Sequence, residues 1–373
     1  MTIEQRFDSH GKTQIFKPAS PHEDVVEPKF VLHVSQMKVQ TSDEFVRGFT
    51  PPDYVLDGIL QRGFLYALTA PTGAGKTAIA MRLMAHVALG RELGGREVTK
   101  AAVTMLAGEN ADDVRMRWIA LAEQMSFVTS EIQAYFAASV FDIESEFTNL
   151  EQCAKAAGGL GLVIVDTSAA FFKGQDENSN VEVGTHARML RQLTTLPGRP
   201  TVLVCAHPTK NASSDNLLPR GGGAFVAEID GNLTAKASGG AVELHWAGKH
   251  RGPDFEPLNF ELLKVESPSL RDSRGRFVPT VIARPLSDAE AEHKAVTANA
   301  DALKLLSAMI RQPGASVAAL ASACGWLTSA GQPHKSKIHR AMKELERAGL
   351  VTKELSTWVV TQRGERAAGR LKS

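Results

Sequence analysis

Ala70-Pro71-Thr72-Gly73-Ala74-Gly75-Lys76-Thr77 decides how this chain folds. It fits G-x-x-x-x-G-K-[ST] at every position but the first, where Ala70 replaces glycine. The segment is entered from an apolar run, Phe64 to Thr69, that reads as a buried strand. It is left through residues 77–89, where Ile79, Leu83, Met84 and Val87 recur at helical spacing. A strand, a glycine-rich turn and a helix in that order make a phosphate-binding loop. Gly73 and Gly75 let successive backbone N–H groups converge on an anion at the positive end of the helix. Lys76 is set to reach the β- and γ-phosphates of ATP, and the Thr77 hydroxyl to ligate Mg2+.

Outward from this loop, apolar runs separated by helical segments recur at Ala102–Leu106, Leu162–Val165 and Thr201–Cys205. The alternation implies an α/β core with a mostly parallel sheet and chemistry at the carboxyl ends of its strands. Three strand ends carry polar groups. Asp166 follows Leu162-Val163-Ile164-Val165 and is positioned for the Mg2+ shell, with a turn or helix-cap role as the alternative. The next residue is Thr167 rather than a second carboxylate, so a water-activating base must come from elsewhere. Glu109, just past the strand after the loop's helix, is the candidate; otherwise Gly108-Glu109-Asn110 is only a turn. His207 ends a further strand and is set either to sense the γ-phosphate or to serve structure.

After Gly231 short alternating strands take over, at Val242–Trp246 and Asn259–Leu263. A hairpin turning at Asp272-Ser273-Arg274-Gly275 returns through Phe277–Ala283. These read as antiparallel additions to the sheet edge. Residues 1–47 read as a mobile polar arm with one short strand at Phe30–Val34, residues 48–286 as the core and 287–299 as a linker. Residues 300–373 carry twelve Lys and Arg against five Asp and Glu. That charge of +7, in a chain of net +1, leaves −6 on the rest and points to nucleic acid. The apolar share of 43% and charged share of 22% exclude a disordered or fibrous chain. Three scattered cysteines, no signal-peptide pattern and no membrane-length apolar run lead us to expect a cytoplasmic protein with no membrane partner.

With these residues assembled, the core resembles the RecA-type branch of P-loop NTPases, AAA-family ATPases in the broad sense. More narrowly it is similar to the RepA-like hexameric ATPases and helicases. The likeness rests on Asp53-Tyr54-Val55-Leu56-Asp57-Gly58, the phosphate loop, Glu109, Asp166-Thr167 with Asp176-Glu177-Asn178, and His207 with Lys210. It spans about residues 48–286. It implies an ATP-hydrolysing homo-oligomer, a hexameric ring, acting on DNA in plasmid, phage or other mobile-element replication. It also implies that loops after Asp166 and His207 line a channel gripping single-stranded DNA, which would place Lys173, Lys210 and Arg220 on nucleic acid. Phe171 and Phe172 lie in the first of these loops, although paired phenylalanines are more often core. The resemblance further implies cations from the adjacent subunit completing each site. Lys249 and Arg251, at K-x-R spacing in an extended segment, fit that role, the alternative being a basic hairpin tip in solvent.

The last 74 residues look like a winged helix. Three helices are expected, at Ala302–Ile310, from Val317, and over Lys335–Leu345. Leu350–Thr352 and Trp358–Val360 would form the wing. Lys335, Lys337 and Arg340 lie on the third helix in position to enter a major groove of double-stranded DNA. A protein-docking module is the alternative for this domain, and an ATP-switched DNA-binding regulator or recombinase-like filament the alternatives for the whole chain.

Overall fold

A computed structural model describes residues 6–7, 13–14, 39–51, 53–177, 179–209, 212–213, 216–238, 240–354 and 357–369. The chain divides into two compact units, Met1–Pro51 and Pro52–Ser373. In the first, β1 (Arg6–Phe7) pairs antiparallel with β2 (Thr13–Gln14), and α1 (Ser42–Val46) starts at a capping box between Thr41 and Glu44. The strand expected at Phe30–Val34 lies outside the described residues.

The second unit opens with a small antiparallel pair, β3 (Tyr54–Leu56) and β4 (Leu60–Gln61). Then come β5 (Leu65–Thr69), α2 (Lys76–Leu89), β6 (Ala102–Ala107), α3 (Ala111–Met125), β7 (Ala134–Ala137) and α4 (Phe147–Ala156). They are followed by β8 (Leu160–Asp166), α5 (Asn180–Gln192), β9 (Thr201–Ala206), α6 (Gly222–Glu228) and β10 (Gly231–Ser238). Three antiparallel strands finish the sheet: β11 (Ala241–His250), β12 (Leu258–Val265) and β13 (Thr280–Pro285). Among the described residues the order of this nine-stranded sheet is β13-β12-β11-β10-β5-β9-β8-β6-β7. From β10 to β7 all neighbours are parallel; β11, β12 and β13 extend the β10 edge antiparallel. The expected fold class, a mainly parallel P-loop core with antiparallel edge strands, is the one observed.

Of the parallel strands, β5, β8 and β9 are buried at every residue and β6 at all but one, so they read as unbroken apolar runs. At the edge, β7 is partly exposed. Alternation sorts the side chains: Leu162 and Ile164 of β8 join the core beneath α2 and α3, with Met84 and Trp118. Val163 and Val165 point to the other face, with Leu190 of α5 and Phe225 of α6. In register, Thr69 pairs with Ala206, Asp166 with Cys205, and Ala107 with Asp166. The carboxyl ends of β5, β9, β8 and β6 therefore finish level along one crevice. The segments leaving them carry the polar residues singled out above.

The stretch 287–299, read as a linker, is helical. It forms the first half of α7 (Asp288–Arg311), a single helix that also contains the expected Ala302–Ile310. Ala-rich sequence without Gly or Pro sustains it, and Ser287 and Glu290 form a capping box at its start. Arg284 binds Glu261 and Glu290 at 2.9 Å each, and Lys294 binds Glu261 at 2.6 Å, fastening α7 to the sheet edge. Beyond it, α8 (Val317–Ala323) and α9 (Lys335–Arg347) share a separate core with the end of α7. That core contains Leu305, Leu306, Met309, Leu320, Ile338, Met342 and Leu345. A hairpin of β14 (Val351–Glu354) and β15 (Thr357–Val360) follows. A terminal helix, α10 (Gln362–Gly369), was not expected from sequence. Among the described residues no helix is long and apolar enough to cross a membrane.

Candidate nucleotide-binding site

The loop between β5 and α2 turns through two left-handed glycines, Gly73 (φ 79°) and Gly75 (φ 91°). Gly75 is the N-cap of α2, and a Cβ there would stand 2.6 Å from Leu262 Cδ2, so both conformation and space require glycine. Ala70 is fully buried, while Pro71, Thr72 and Gly73 are exposed at the crevice mouth and Ala74 is half-buried. This leaves the backbone N–H groups of the first turn of α2 facing the crevice, as an anion site requires. Lys76 is buried, and its Nζ donates to the carbonyls of Ala70 (2.8 Å) and Pro71 (3.2 Å). Burial pushes its ammonium below the ordinary value, against the pull of Asp166 and Glu109 nearby.

Asp166 is 2% exposed and lies beside the Thr77 hydroxyl. Its Oδ1 is buried with no hydrogen-bond partner among the described residues. Burial raises this carboxyl above its ordinary value, and the nearby Glu109 charge adds to the rise. The Asp166–Thr167 peptide is cis. The short 3-10 helix that follows, Ser168–Phe171, is capped by Thr167 without a side-chain bond, so Asp166 has no capping role. A buried carboxylate oxygen lacking a donor, beside a threonine hydroxyl, fits Mg2+. Among the described residues no group of three His, Cys, Asp or Glu is assembled for a metal. Thr77 and Asp166 therefore suit an ion that takes its remaining ligands from phosphate and water.

Glu109 stands across the crevice, where its Oε1 accepts from the Thr167 hydroxyl at 3.0 Å. The helix after it is capped by Asn110, whose side chain accepts from the N–H groups of Asp112 and Asp113, so Glu109 is not spent on the turn. His207 closes the third side: its Nδ1 lies 3.5 Å from both Lys76 Nζ and the Thr72 hydroxyl. Burial and the Lys76 charge hold this imidazole below its ordinary value and keep it neutral at pH 7. The fold thus brings Lys76, Thr77, Asp166, Glu109 and His207 together from four strand ends.

Lys249 and Arg251 are elsewhere. Because β11 runs against β10, its last residues return to the amino ends of the parallel strands, where Gly231 pairs with both Tyr66 and His250. At ~3.3 Å per residue Tyr66 is roughly 13 Å from the start of the phosphate loop. Lys249 Nζ donates to the carbonyls of Val226 and Ala227, and Arg251 binds Asp230 Oδ1 at 3.1 Å. Arg251 lies just past the end of β11 and remains 62% exposed. In the loops, Lys173 is paired with Asp142, and Arg220 with Glu177 at 2.7 Å. Lys210 lies outside the described residues. Phe171 is buried against Phe141, and Phe172 packs edge-on to His186, so the pair belongs to the core. On α9, Lys335 and Arg340 are exposed, whereas Lys337 is tied to Asp301 (2.8 Å) and lies over Trp326.

Sequence reasoning passed over Thr167 as a partner for Glu109, and over His186. The latter shares a hydrogen bond of 3.0 Å with the Ser168 hydroxyl and is held by burial at a pKa of about 4. No motif marks a mid-helix histidine of this kind.

Residues 33–213 match the model of a family described as an AAA domain. No curated protein matches the chain. The matched stretch contains the phosphate loop, Glu109, Asp166 and His207, and ends before Arg220, Lys249 and Arg251. Together with the sheet it identifies this region as a P-loop ATPase domain.

Proposed function

We propose that this chain is a Mg-ATP-hydrolysing, DNA-dependent ATPase that works as a ring-shaped homo-oligomer, a RepA-like replicative helicase with a C-terminal winged helix. The observation that carries this reading is the separation of Lys249 and Arg251 from their own phosphate loop. In this reading one crevice combines a phosphate cradle, two protein ligands for Mg2+, a base and a sensor, while Arg220, the arginine beside His207, is already paired with Glu177. Arg251 is exposed at the opposite end of the sheet, where a neighbouring copy's nucleotide is the natural target.

In the proposed reaction the loop amides and Lys76 hold the phosphates, with Thr77 and Asp166 as protein ligands for Mg2+. Bound there, Mg2+ would neutralise charge on the β- and γ-oxygens. Glu109, held by the Thr167 hydroxyl, orients a water for in-line attack and takes its proton. Neutral His207 donates its ring N–H to a γ-phosphate oxygen and passes that group's displacement to the loop that β9 enters. The exposed basic face of α9, with Lys335 and Arg340, supports DNA binding by the C-terminal module.

The test is ATP hydrolysis with and without single-stranded DNA for the wild type, Glu109→Gln, Arg251→Ala and an equimolar mixture of the two variants. DNA stimulation, two inactive variants and partial recovery on mixing are expected, since mixed interfaces pair an intact base with an intact finger. Slow hydrolysis indifferent to DNA, with no recovery, would sink the motor reading and favour an ATP-switched DNA-binding protein.

A further inference from the structure

Arg220 ties together the two loops that leave β8 and β9. Its backbone N–H donates to the His207 carbonyl at 2.8 Å, and Thr209 N–H donates to Leu218, closing the loop base beside the Pro208–Pro219 bridge. Its guanidinium donates to Glu177 Oε2 at 2.7 Å, and Glu177 lies on the loop after Asp166. The turn that follows is held against α5: Gly221 has φ 93°, and a Cβ there would stand 2.4 Å from Val183 Cγ1. Ser168, Glu177, His186, His207 and Arg220 line a cavity of about 30 Å³. The Nε of Arg220 is buried and has no acceptor among the described residues. That cavity, walled also by Phe172, Val183 and Phe225, has room for one water, which would supply that acceptor.

We propose that Arg220, with Glu177 as its counter-ion, is a positioning residue for His207 rather than a contact to nucleic-acid phosphate. The proposal rests on the reading of His207 as the γ-phosphate sensor. A phosphate contact needs a cation free to meet it, and the charge of Arg220 is already matched inside the fold. Its backbone and its side chain grip different loops, so His207 cannot shift without straining the ion pair. Removal of either partner leaves the other charge partly buried and unmatched, which makes the pair a single unit.

The experiment is steady-state ATP hydrolysis without DNA for Arg220→Lys, Arg220→Gln, Glu177→Gln and the Arg220→Gln/Glu177→Gln double variant, with melting temperatures recorded. The salt dependence of single-stranded DNA binding is measured beside it for the wild type and Arg220→Gln. The expected result is a kcat about tenfold lower in each single variant, KM for ATP within about twofold, and a double variant no worse than the worse single. The DNA salt slope should not change. Full kcat in all three single variants, with a salt slope smaller by about one in Arg220→Gln, would make Arg220 a phosphate contact and overturn the proposal. Should Arg220→Gln fail to fold, Arg220→Lys and Glu177→Gln decide between the same outcomes. A wild type that hydrolyses no ATP would sink the reading of the site. The proposal is then decided by the His207 ring signals in nucleotide-free protein: shifted by Glu177→Gln and Arg220→Lys they support it, and unmoved they overturn it.

Discussion

The Thr167 hydroxyl donates to Glu109 Oε1 at 3.0 Å, joining the ends of two adjacent parallel strands across the crevice. A threonine directly after Asp166 thus reaches a carboxylate that lies 58 residues earlier. Thr167→Val keeps the shape and removes the donor. It should lower kcat for ATP hydrolysis by about tenfold with KM little changed, and Thr167→Ser should recover most of the loss. Equal kcat in the valine variant would show that Glu109 needs no such support.

Asp166 is expected to destabilise the protein it serves. Its folded pKa lies above the ordinary carboxyl value of 3.8, so the folded state holds that proton more tightly than the unfolded chain. Stability from this group is present at low pH and lost as pH rises through the folded pKa. At pH 7 without Mg2+, Asp166→Asn should therefore raise the melting temperature by about 2–5 °C, a gain that shrinks toward pH 4. The same variant should lose all stabilisation by Mg-ATP. Scanning calorimetry in chelator and in Mg-nucleotide reads both effects.

His186 carries the opposite pH signature. Buried beside Ser168 and Phe172, with Glu177 near enough to oppose part of the shift, it stays neutral down to about pH 4. Between its ordinary value of 6.5 and 4 the unfolded chain takes up a proton that the folded chain refuses. Stability should fall as pH drops through that window, by at most ~3 kcal/mol from this group. Urea unfolding at pH 7 and pH 4.5 should show a smaller difference for His186→Gln than for the wild type.

Gly75→Ala should fail twice over. It places a side chain at φ 91° and drives a methyl into Leu262, at a combined cost of about 2 kcal/mol. Relief of the strain must distort the first turn of α2. The expected outcome is a lower melting temperature that ATP does not restore, read by thermal unfolding with and without nucleotide.

The basic residues of α9 should not behave alike. Alanine at Lys335 and Arg340 is expected to weaken DNA binding and flatten its salt dependence by about one unit per residue. Lys337→Ala should instead lower the melting temperature, by ~1 kcal/mol in stability, since its ammonium serves Asp301 and Trp326. If all three affect DNA binding equally, α9 does not enter the groove by the face described.

What the sequence disclosed follows from how each signal is written. The phosphate loop is local, and its glycines and lysine sit within eight residues. Glu109, Asp166 and His207 were legible because each follows an apolar run, and parallel strands level at one end bring run-ends together. Partners across the fold carry no such mark. Nothing near Arg251 announces Asp230, and nothing near Arg220 announces Glu177, since register and loop path decide both. Residues 287–299 were read by composition as a connector, although their Ala content and the Ser287/Glu290 pair are also what a helix and its cap require.

That helix has a mechanical consequence. Gly75 of the phosphate loop packs on Leu262, and the adjoining Glu261 clamps both Arg284 and Lys294. At ~1.5 Å per residue the 24 residues of α7 form a lever arm about 36 Å long. A tilt of roughly 5° at the clamped end sweeps the far end through about 3 Å, enough to take the basic face of α9 in or out of register with a phosphate backbone. Because ion pairs make the clamp, salt should loosen this amplifier before it loosens either domain, which spin-label distances between the exposed Lys264 of β12 and the tip of α9 would register as broadening.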